Sequence, residues 1–145
     1  MKAIIPVAGY GTRLAPHTNK LQKCLFPVGG KPVLEHILDR LVDAGIIDVT
    51  LIIGHLGDQV KYFSNQYKKA KITLIEQKQQ LGLAHAISLG LDSINKPVVI
   101  ALGDSILDLN YKEFINSNHS TIGVHIVSDP KRFGIVELEG KNIMQ

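Results

Sequence analysis

The amino-acid sequence predicts an α/β fold, a three-layer arrangement in which helices cover both faces of a mainly parallel sheet. Two patterns predict it: short, wholly apolar runs recur along the chain, and stretches with helical spacing of apolar residues separate them. Strands that alternate with helices favour right-handed crossover connections and therefore parallel pairing. With 145 residues, the chain fits one domain with a hydrophobic core.

The individual elements follow from local pattern, in chain order. Apolar runs typical of buried strands occur at 3–7, 49–53, 72–75 and 97–102. Apolar residues at helical spacing predict helices at 33–44, 56–67 and 83–91. Gly45 is a good terminator for the first of these helices. The prediction is completed by a short helical stretch at 111–115 and by two further strands, at 121–127 and 134–138.

Composition and charge exclude several classes of protein. The chain is 45% hydrophobic and 20% charged, as in soluble globular domains. Its net charge is +3, and its Lys and Arg residues are scattered and do not form the basic stripe typical of nucleic-acid-binding proteins. No apolar run reaches the roughly 18 residues of a membrane helix, and the apolar start is too short for a signal peptide. The single cysteine, Cys24, excludes an intramolecular disulfide, and the histidines lack metal-ligand spacing. We therefore expect a cytoplasmic domain without nucleic-acid or membrane partners.

The loop after the first strand, residues 8–16, carries a pattern typical of phosphate binding. In α/β sheets, ligands bind at the carboxyl ends of the strands, where this loop begins. Gly9 and Gly11 permit unusual backbone angles and close approach of a ligand, and successive N–H groups in such a turn form an anion-binding concavity. Arg13 adds a guanidinium suited to phosphate. The loop predicts a phosphate site, although a structural glycine turn with an exposed arginine would explain the same residues.

Two better-known glycine loops do not fit this sequence. The dinucleotide fingerprint requires glycine or alanine where this chain has Leu14, and an acid about 20 residues later. The Walker loop requires serine or threonine after Gly-Lys, whereas Gly30-Lys31 is followed by Pro32. These mismatches argue against an NAD-dependent dehydrogenase and against a Walker-type nucleotidase.

A longer ordered pattern extends the first loop. The loop reads Gly9-Tyr10-Gly11-Thr12-Arg13-Leu14 and is followed by Pro16, Thr18, Lys23, Leu25, Pro27-Val28 and Lys31-Pro32. Three more blocks follow in order: Gln77 with 82–84, then 102–105, then 133–137. Together the blocks resemble the sugar-1-phosphate nucleotidyltransferases, a family with thymidylyl-, uridylyl- and guanylyltransferase branches. The resemblance covers nearly the whole chain and implies a Rossmann-like nucleotidyltransferase fold.

The resemblance also implies a reaction and the residues that carry it. An oxygen of a sugar 1-phosphate would attack the α-phosphate of a nucleoside triphosphate, and pyrophosphate would leave. The main-chain groups that cradle the triphosphate would belong to Ala8, Gly9, Gly11 and Thr12. Arg13 would hold the leaving pyrophosphate, and Lys23 would stabilise the charge that develops at the α-phosphate.

A metal site and a sugar site are implied in the same way. Asp104 follows a wholly apolar strand and would hold Mg²⁺, a hard cation that prefers oxygen ligands. An aspartate that caps the next turn is the alternative reading of this residue. Ser105, Gly134 and Glu137 would contact the sugar. In the branches that this chain resembles best, the sugar substrate is similar to glucose 1-phosphate.

The nucleotide base would be recognised by Gln77 through its amide and by Gly82 through its backbone. Gln79 and Gln80 are rival amides, and the charged run 76–80 is also consistent with an ordinary solvated loop. This segment is more similar to the thymidylyl and uridylyl branches, whereas the first loop also occurs among guanylyl relatives. The expected order of preference is therefore dTTP, then UTP, then GTP.

Two motifs of the family have no counterpart here, a Glu-Lys pair after 133–137 and a later metal-binding aspartate. We therefore expect residues 1–145 to be the nucleotide-binding part of a nucleotidyltransferase domain, truncated before its sugar-phosphate and second metal motifs, and inactive alone. The unpaired sheet edge of such a piece would favour a homo-oligomer. The alternative is a non-catalytic nucleotide-binding or regulatory module derived from this family.

Overall fold

The computed structural model describes residues 1–91, 96–140 and 142–143. Its strands, in chain order, are β1 (Lys2–Pro6), β2 (Pro27–Val28), β3 (Lys31–Pro32), β4 (Asp48–Ile53), β5 (Lys71–Glu76), β6 (Val98–Ile100), β7 (Leu138–Glu139) and β8 (Asn142–Ile143). Its helices are α1 (Val33–Asp43), α2 (Gly57–Gln66), α3 (Leu83–Leu91) and α4 (Tyr111–Ile115). Four of the strands form one parallel sheet in the order β5-β4-β1-β6.

The first strand lies between two neighbours in this sheet. Ile4 is in register with Thr50 of β4 on one side and with Ile100 of β6 on the other. Ala3, Ile4 and Ile5 are fully buried. A strand that is paired on both sides and covered on both faces needs apolar residues at every position, which explains why this run is continuous and does not alternate.

Helices cover both faces of the sheet. On one face, Ile5 packs in a large cluster that contains Leu38 of α1 and Val60 of α2. On the other face, Ile4 packs with Ala86 of α3 in a smaller cluster. Gly90 brings α3 close to the sheet, because a Cβ at this position would lie 2.9 Å from a methyl carbon of Ile4. The predicted three-layer α/β arrangement is confirmed.

The predicted elements of the first hundred residues are all present, with shifts of one or two residues at most of their ends. The helix at 83–91 matches its prediction, and the short helix at 111–115 is also confirmed. The pattern did not predict three single turns of 3-10 helix at 12–14, 17–19 and 23–25. These turns carry the chain from the first loop to the β2–β3 hairpin, and their residues form part of the site described below.

The predicted strands at 121–127 and 134–138 are wrong. The structure assigns no strand from 101 to 137, and β7 begins only at Leu138, where it pairs with β8 in a short antiparallel ladder. The apolar alternation at 121–127 satisfies the local preference for a strand, but a strand also requires a neighbour that shares its hydrogen bonds. None of the described residues supplies one, and Ile126 is 94% exposed.

No helix in the described parts of the chain combines the length and the apolar character that crossing a membrane requires.

Candidate functional site

A cavity of about 350 Å³ opens at the carboxyl ends of the parallel strands. Three segments line it: the first loop together with 22–24, the segment from Gln77 to Ala86 after β5, and the turn Leu102–Asp104 after β6. The segments meet because β1 lies between β4 and β6, so that loops distant in sequence leave the sheet at the same edge.

The buried side chain of Gln22 holds the first loop in place. Its side chain is almost fully buried, and its Nε2 donates hydrogen bonds to the carbonyl oxygens of Val7, at 2.5 Å, and Gly9, at 3.4 Å. Its Oε1 accepts a hydrogen bond of 2.6 Å from the backbone N–H of Cys24. The three bonds satisfy a buried amide and tie the first loop to the 3-10 turn at 23–25.

Two other side chains bind carbonyl groups of the loop. The hydroxyl of Thr18 donates to the carbonyl oxygen of Gly11 at 3.1 Å, and Nε2 of Gln80 donates to that of Ala8 at 3.2 Å. Ala8 also accepts from the backbone N–H of His55 at 3.1 Å. Side chains from outside the loop therefore bind the carbonyl groups of Ala8, Gly9 and Gly11.

The N–H groups of the loop are in the opposite situation. Among the described residues, the backbone N–H groups of residues 8–11 donate no hydrogen bond, whereas that of Val7 still donates to the β4 strand at Ile52. A run of unused N–H groups beside a cavity is an arrangement that binds anions.

The two glycines of the loop have different roles. Gly11 has a φ of +63°, a left-handed conformation that favours glycine, and a Cβ there would lie 2.9 Å from a carbon of Thr18. Gly9 does not have a left-handed φ, and no atom lies within 4 Å of its Cβ position. The prediction of an unusual backbone angle is confirmed for Gly11 only, while Gly9 leaves open space beside the cavity.

Lys23 and Asp104 form an ion pair at the mouth of the cavity. Nζ of Lys23 lies 2.5 Å from Oδ2 of Asp104, and both side chains are partly exposed. Burial alone would raise the pKa of the Asp104 carboxyl, but the hydrogen bond and charge of Lys23 outweigh it and hold that pKa below its ordinary value. Ser105 contributes a further hydrogen bond of 3.0 Å to Oδ1. The site therefore contains an ionised carboxylate and an ammonium group in direct contact.

Gly103 sets the position of Asp104. A Cβ on Gly103 would lie 2.8 Å from the carbonyl oxygen of Pro6 and would also meet a methyl group of Val7. The absence of a side chain lets the end of β6 pass close to the end of β1. This close approach places the Asp104 carboxylate beside Lys23.

Gln77 lies on the opposite side of the cavity and is only 4% exposed. Its Nε2 is 3.1 Å from the carbonyl oxygen of Gly82 and 3.0 Å from Nδ1 of His85. Its backbone N–H donates to Ile53 at 2.8 Å, which continues the sheet by one bond beyond β5. Of the rival amides, Gln80 is turned toward the first loop, and Gln79 is exposed and does not line the cavity.

Comparison with known proteins agrees with this geometry. The family model described as Nucleotidyl transferase matches residues 2–145. This chain belongs to the nucleotidyl transferase family.

Individual relatives agree with the family. The chain is 34% identical over 139 residues to the bifunctional protein GlmU of Methanococcus vannielii, covering 95% of this chain and 32% of that protein. It is 34% identical over 116 residues to the UTP–glucose-1-phosphate uridylyltransferase AglF of Haloferax volcanii, covering 79% of this chain and 48% of that protein. This chain therefore spans about a third to a half of the length of these curated relatives.

A solved structure shows the same fold. The crystal structure named for a glucose-1-phosphate thymidylyltransferase of Bacillus anthracis, in complex with a sucrose, matches with a TM-score of 0.83 at 32% identity. The match covers 100% of this chain and 63% of the other. The parallel sheet and its helices are therefore the nucleotidyl transferase fold.

The structure brings most of the predicted nucleotide-binding residues of this nucleotidyl transferase chain to one cavity. Ala8, Gly9, Gly11, Lys23, Gln77, Gly82 and Asp104 all line it. Thr12 and Arg13 lie in the exposed 3-10 turn that directly follows Gly11, outside the lining. The predicted sugar contacts are more scattered: Ser105 adjoins Asp104, whereas Gly134 and Glu137 are exposed residues of an irregular segment. Their predicted roles in sugar binding stay predictions.

Sequence reasoning missed three residues of the site. Gln22, Thr18 and His85 each bind another residue of the site, and none follows from hydrophobic spacing. Thr18 belongs to the ordered pattern after the first loop, so the sequence marked this residue but did not indicate what it binds. Gln22 was not singled out, because an amide between surface residues gives no hint of burial until the turns around it are known.

Cys24 lines the cavity, and its thiol is almost fully buried. Burial raises the pKa of its thiol to about 12, so that the thiol stays protonated at neutral pH. The side chain of Cys24 packs in the main hydrophobic cluster.

The residues that line the cavity could supply only part of the ligands of a Mg²⁺ ion. Among the described residues that line the cavity, Asp104 is the one carboxylate, and no cluster of three or more metal-binding side chains occurs in that part of the chain. Magnesium is commonly held by one or two carboxylates together with phosphate oxygens of a substrate. The donor set is compatible with a metal that arrives with a nucleotide and incompatible with a metal cage made by these residues alone.

Proposed function

We propose that this chain forms the nucleoside-triphosphate side of a sugar-1-phosphate nucleotidyltransferase site. The whole protein would transfer a nucleoside monophosphate from a nucleoside triphosphate to a sugar 1-phosphate similar to glucose 1-phosphate and would release pyrophosphate. The relatives named for uridylyl and thymidylyl transfer onto glucose 1-phosphate support this class of substrate. We propose dTTP or UTP as the nucleotide, with GTP in third place.

One observation carries the proposal. The backbone N–H groups of residues 8–11 donate no hydrogen bond to the described residues, and Ala8, Gly9 and Gly11 line the cavity, while side chains bind the carbonyl groups of these three residues. Phosphoryl and nucleotidyl transfer depend on positioning and on neutralising charge more than on covalent help from the protein. A rigid row of N–H donors next to an ammonium group meets that need for a triphosphate.

The proposed roles follow from position in the cavity and from the family resemblance. The main chain of Ala8, Gly9, Gly11 and Thr12 would hold the triphosphate. Arg13, exposed at the end of the same loop, would bind the departing pyrophosphate. Lys23 would stabilise the charge at the α-phosphate.

Asp104 would hold Mg²⁺, which supplies positive charge that neutralises phosphate oxygens when it is bound. In the structure described here, Lys23 and Asp104 neutralise each other. Their separation would make the ammonium group available to a phosphate and the carboxylate available to a cation at the same time.

The remaining proposals have separate grounds. Ser105, Gly134 and Glu137 would contact the sugar, as the family resemblance implies. The composition and the single cysteine favour the reducing cytoplasm, and the outer strands of the described sheet, β5 and β6, would favour a homo-oligomer. The single carboxylate lining the described cavity also favours an alternative, a non-catalytic module that binds nucleotide. The alternative shares the triphosphate site and differs from the enzyme only in the transfer step.

Calorimetric titration tests the triphosphate site. The chain is titrated with dTTP, UTP, GTP, CTP, ATP and NAD in the presence of Mg²⁺, and the titration is repeated with Arg13→Ala. We expect saturable binding of a thymine or uracil triphosphate and a loss of at least about tenfold in affinity for the variant, the size of a charged hydrogen bond. Arg40→Ala, which removes an exposed arginine of α1, is the matched control and should not change the affinity. Binding of NAD in preference to every triphosphate, or of none of the six ligands, would contradict the proposal.

A further inference from the structure

The amide of Gln77 is held by two contacts on one side. Its Nε2 faces both the carbonyl oxygen of Gly82, at 3.1 Å, and Nδ1 of His85, at 3.0 Å. The carbonyl oxygen of Gly82 also accepts from the backbone N–H of Ala86 at 3.2 Å. A carbonyl oxygen can only accept, so the Gln77 atom that faces it must be the amide nitrogen.

The same geometry determines the protonation of the histidine ring. Both contacts can be hydrogen bonds only if the Gln77 amide donates one hydrogen to Gly82 and the other to Nδ1 of His85. A ring nitrogen that accepts carries no hydrogen, so the contacts assign the proton of the neutral His85 ring to Nε2. His85 is half-buried on the first turns of α3, which places the ring beside Gln77.

The polar atoms that stay unused define what the cavity can recognise. Oε1 of Gln77 accepts no hydrogen bond from the described residues, and the backbone N–H of Gly82 donates none to them. Gly82 has a φ of +96° and open space at its Cβ position. The cavity wall therefore offers one acceptor and one donor five residues apart in sequence and connected by the Gln77–Gly82 hydrogen bond.

Only some nucleotide bases match this pair. Uracil, thymine and guanine each present a ring N–H next to a carbonyl oxygen, which complements an acceptor beside a donor. Cytosine and adenine present an unprotonated ring nitrogen next to an amino group, which is the reverse pattern. An amide rotated by half a turn would present its nitrogen to the base and would favour the second group.

We infer that His85 is a positioning residue that, together with the carbonyl group of Gly82, orients the Gln77 amide so that the cavity selects keto bases over amino bases. The inference rests on the proposed function, since it assumes that the nucleotide base lies against Gln77. His85 acts through Gln77 and does not itself contact the base. The selected class comprises uracil, thymine and guanine nucleotides.

The ratio of affinities for UTP and CTP tests the inference, because these nucleotides share their ribose and triphosphate. Wild type should prefer UTP. His85→Leu removes one of the two contacts that orient the amide and should lower the UTP/CTP ratio by roughly threefold to tenfold, the size of one neutral hydrogen bond. His85→Asn, whose side-chain oxygen can accept near the position of Nδ1, should restore most of the ratio. His125→Leu, at an exposed site in the segment 121–127, is the control and should leave the ratio unchanged.

The outcomes separate the inference from the proposed function. If wild type binds no triphosphate, both fail. If wild type prefers UTP and His85→Leu keeps the full preference, the role of His85 is wrong and the triphosphate site stands. Gln77→Leu should abolish the preference, and an unchanged ratio in that variant would exclude Gln77 as the residue that reads the base.

A second measurement needs neither a variant nor a ligand. Long-range proton–nitrogen NMR correlations of the histidine rings in the wild-type chain report which ring nitrogen of His85 carries the proton. The expected result is the form protonated on Nε2 only. A proton on Nδ1 would overturn the inference, even if His85→Leu failed to fold.

Discussion

Residues 1–91 and residues 96–140 differ in how they place their apolar side chains. In the first region, apolar strands and helices pack into two clusters on either side of the sheet. In the second region, Val99, Ala101 and Tyr111 join the main cluster, but Ile126, Phe133 and Ile135 are mostly exposed. The first region also supplies most of the residues that line the cavity, and the second supplies only Leu102, Gly103 and Asp104.

The difference shows that an apolar pattern needs a neighbour to become a strand. The run at 49–53 lies between β1 and β5 and is buried, while the segment 121–127, whose apolar residues alternate with polar or small ones, finds no partner among the described residues. Burial of apolar area is the main favourable contribution to folding, so most of the stabilisation should come from the first region. Four measurements test this, from the largest expected effect to the smallest.

Truncation of an apolar side chain should affect stability at a buried position of the first region and not at an exposed position of the second region. Leu38→Ala removes a fully buried side chain of α1 and should lower the free energy of unfolding by about 2–5 kcal/mol. Ile126→Ala, at a side chain that is 94% exposed, should change it by less than about 0.5 kcal/mol. Urea denaturation of both variants gives the comparison, and equal losses would show that the segment around Ile126 is packed in solution.

Removal of the buried Gln22 amide should also destabilise the first region. Gln22→Leu leaves the carbonyl group of Val7 and the N–H group of Cys24 without their partners, and we expect a loss of about 3 kcal/mol. Affinity for triphosphates should fall as well, because the first loop would no longer be held. Gln66→Leu, at an exposed amide of α2, is the matched control for thermal denaturation and calorimetry. Unchanged stability of Gln22→Leu would mean that its hydrogen bonds are replaced by water.

Two glycine substitutions compare the crowding at two places in the second region, the end of β6 and the irregular segment before β7. Gly103→Ala places a Cβ against the carbonyl oxygen of Pro6 and should cost about 1–3 kcal/mol. Gly134→Ala meets no atom within 4 Å and should be neutral or slightly stabilising. Thermal denaturation measures both, and the idea of a close approach at Gly103 would be abandoned if the two variants were equally stable.

The smallest effect concerns a polar cluster on the surface of the first region. The Asp39 carboxylate accepts hydrogen bonds from three side chains: Lys69, Lys31 and Tyr67. Although partial burial alone would raise its pKa, these bonds lower the pKa of Asp39 to about 2. Because this value lies below the ordinary 3.8, the stabilisation is complete above about pH 4 and is lost as the pH falls through about 2.

Solvent screening limits this contribution to about 1 kcal/mol. Asp39→Asn should therefore flatten the decrease in the free energy of unfolding between pH 4 and pH 2, which urea denaturation at several pH values would detect. The same slope in wild type and variant would show that the cluster contributes nothing to stability.

The sequence predicted those parts of the fold that depend on local pattern. Continuous apolar runs and helical spacing are properties of neighbouring residues, so the sheet and its covering helices could be recognised. Whether the predicted strand at 121–127 forms could not be judged from local pattern, because a strand depends on a partner that is remote in sequence. The same limit applies to Gln22, whose burial depends on three turns that hydrophobic pattern does not encode.

The site was predicted partly from topology and partly from the family resemblance. Lys23 and Asp104 are 81 residues apart. Asp104 was expected at the carboxyl edge of the sheet because it follows an apolar strand, whereas a place for Lys23 beside the phosphates was implied only by the resemblance. Their direct ion pair was not expected, since it depends on the close approach of β6 to β1 at Gly103. The contact between Gln77 and His85 was also missed, because sequence spacing alone does not show which amide of 77–80 faces the cavity.

The way the first loop is held has a consequence for protein engineering. The donors on its carbonyl groups come from Thr18, Gln22 and Gln80, so the loop is assembled by two segments outside itself. A peptide copied from residues 8–16, or the same residues grafted onto another α/β scaffold, would carry the glycines and the arginine without these donors. Its carbonyl groups would then be free to rotate toward an incoming phosphate and repel it. A transplant that keeps its affinity would have to bring a threonine and two glutamines with the loop.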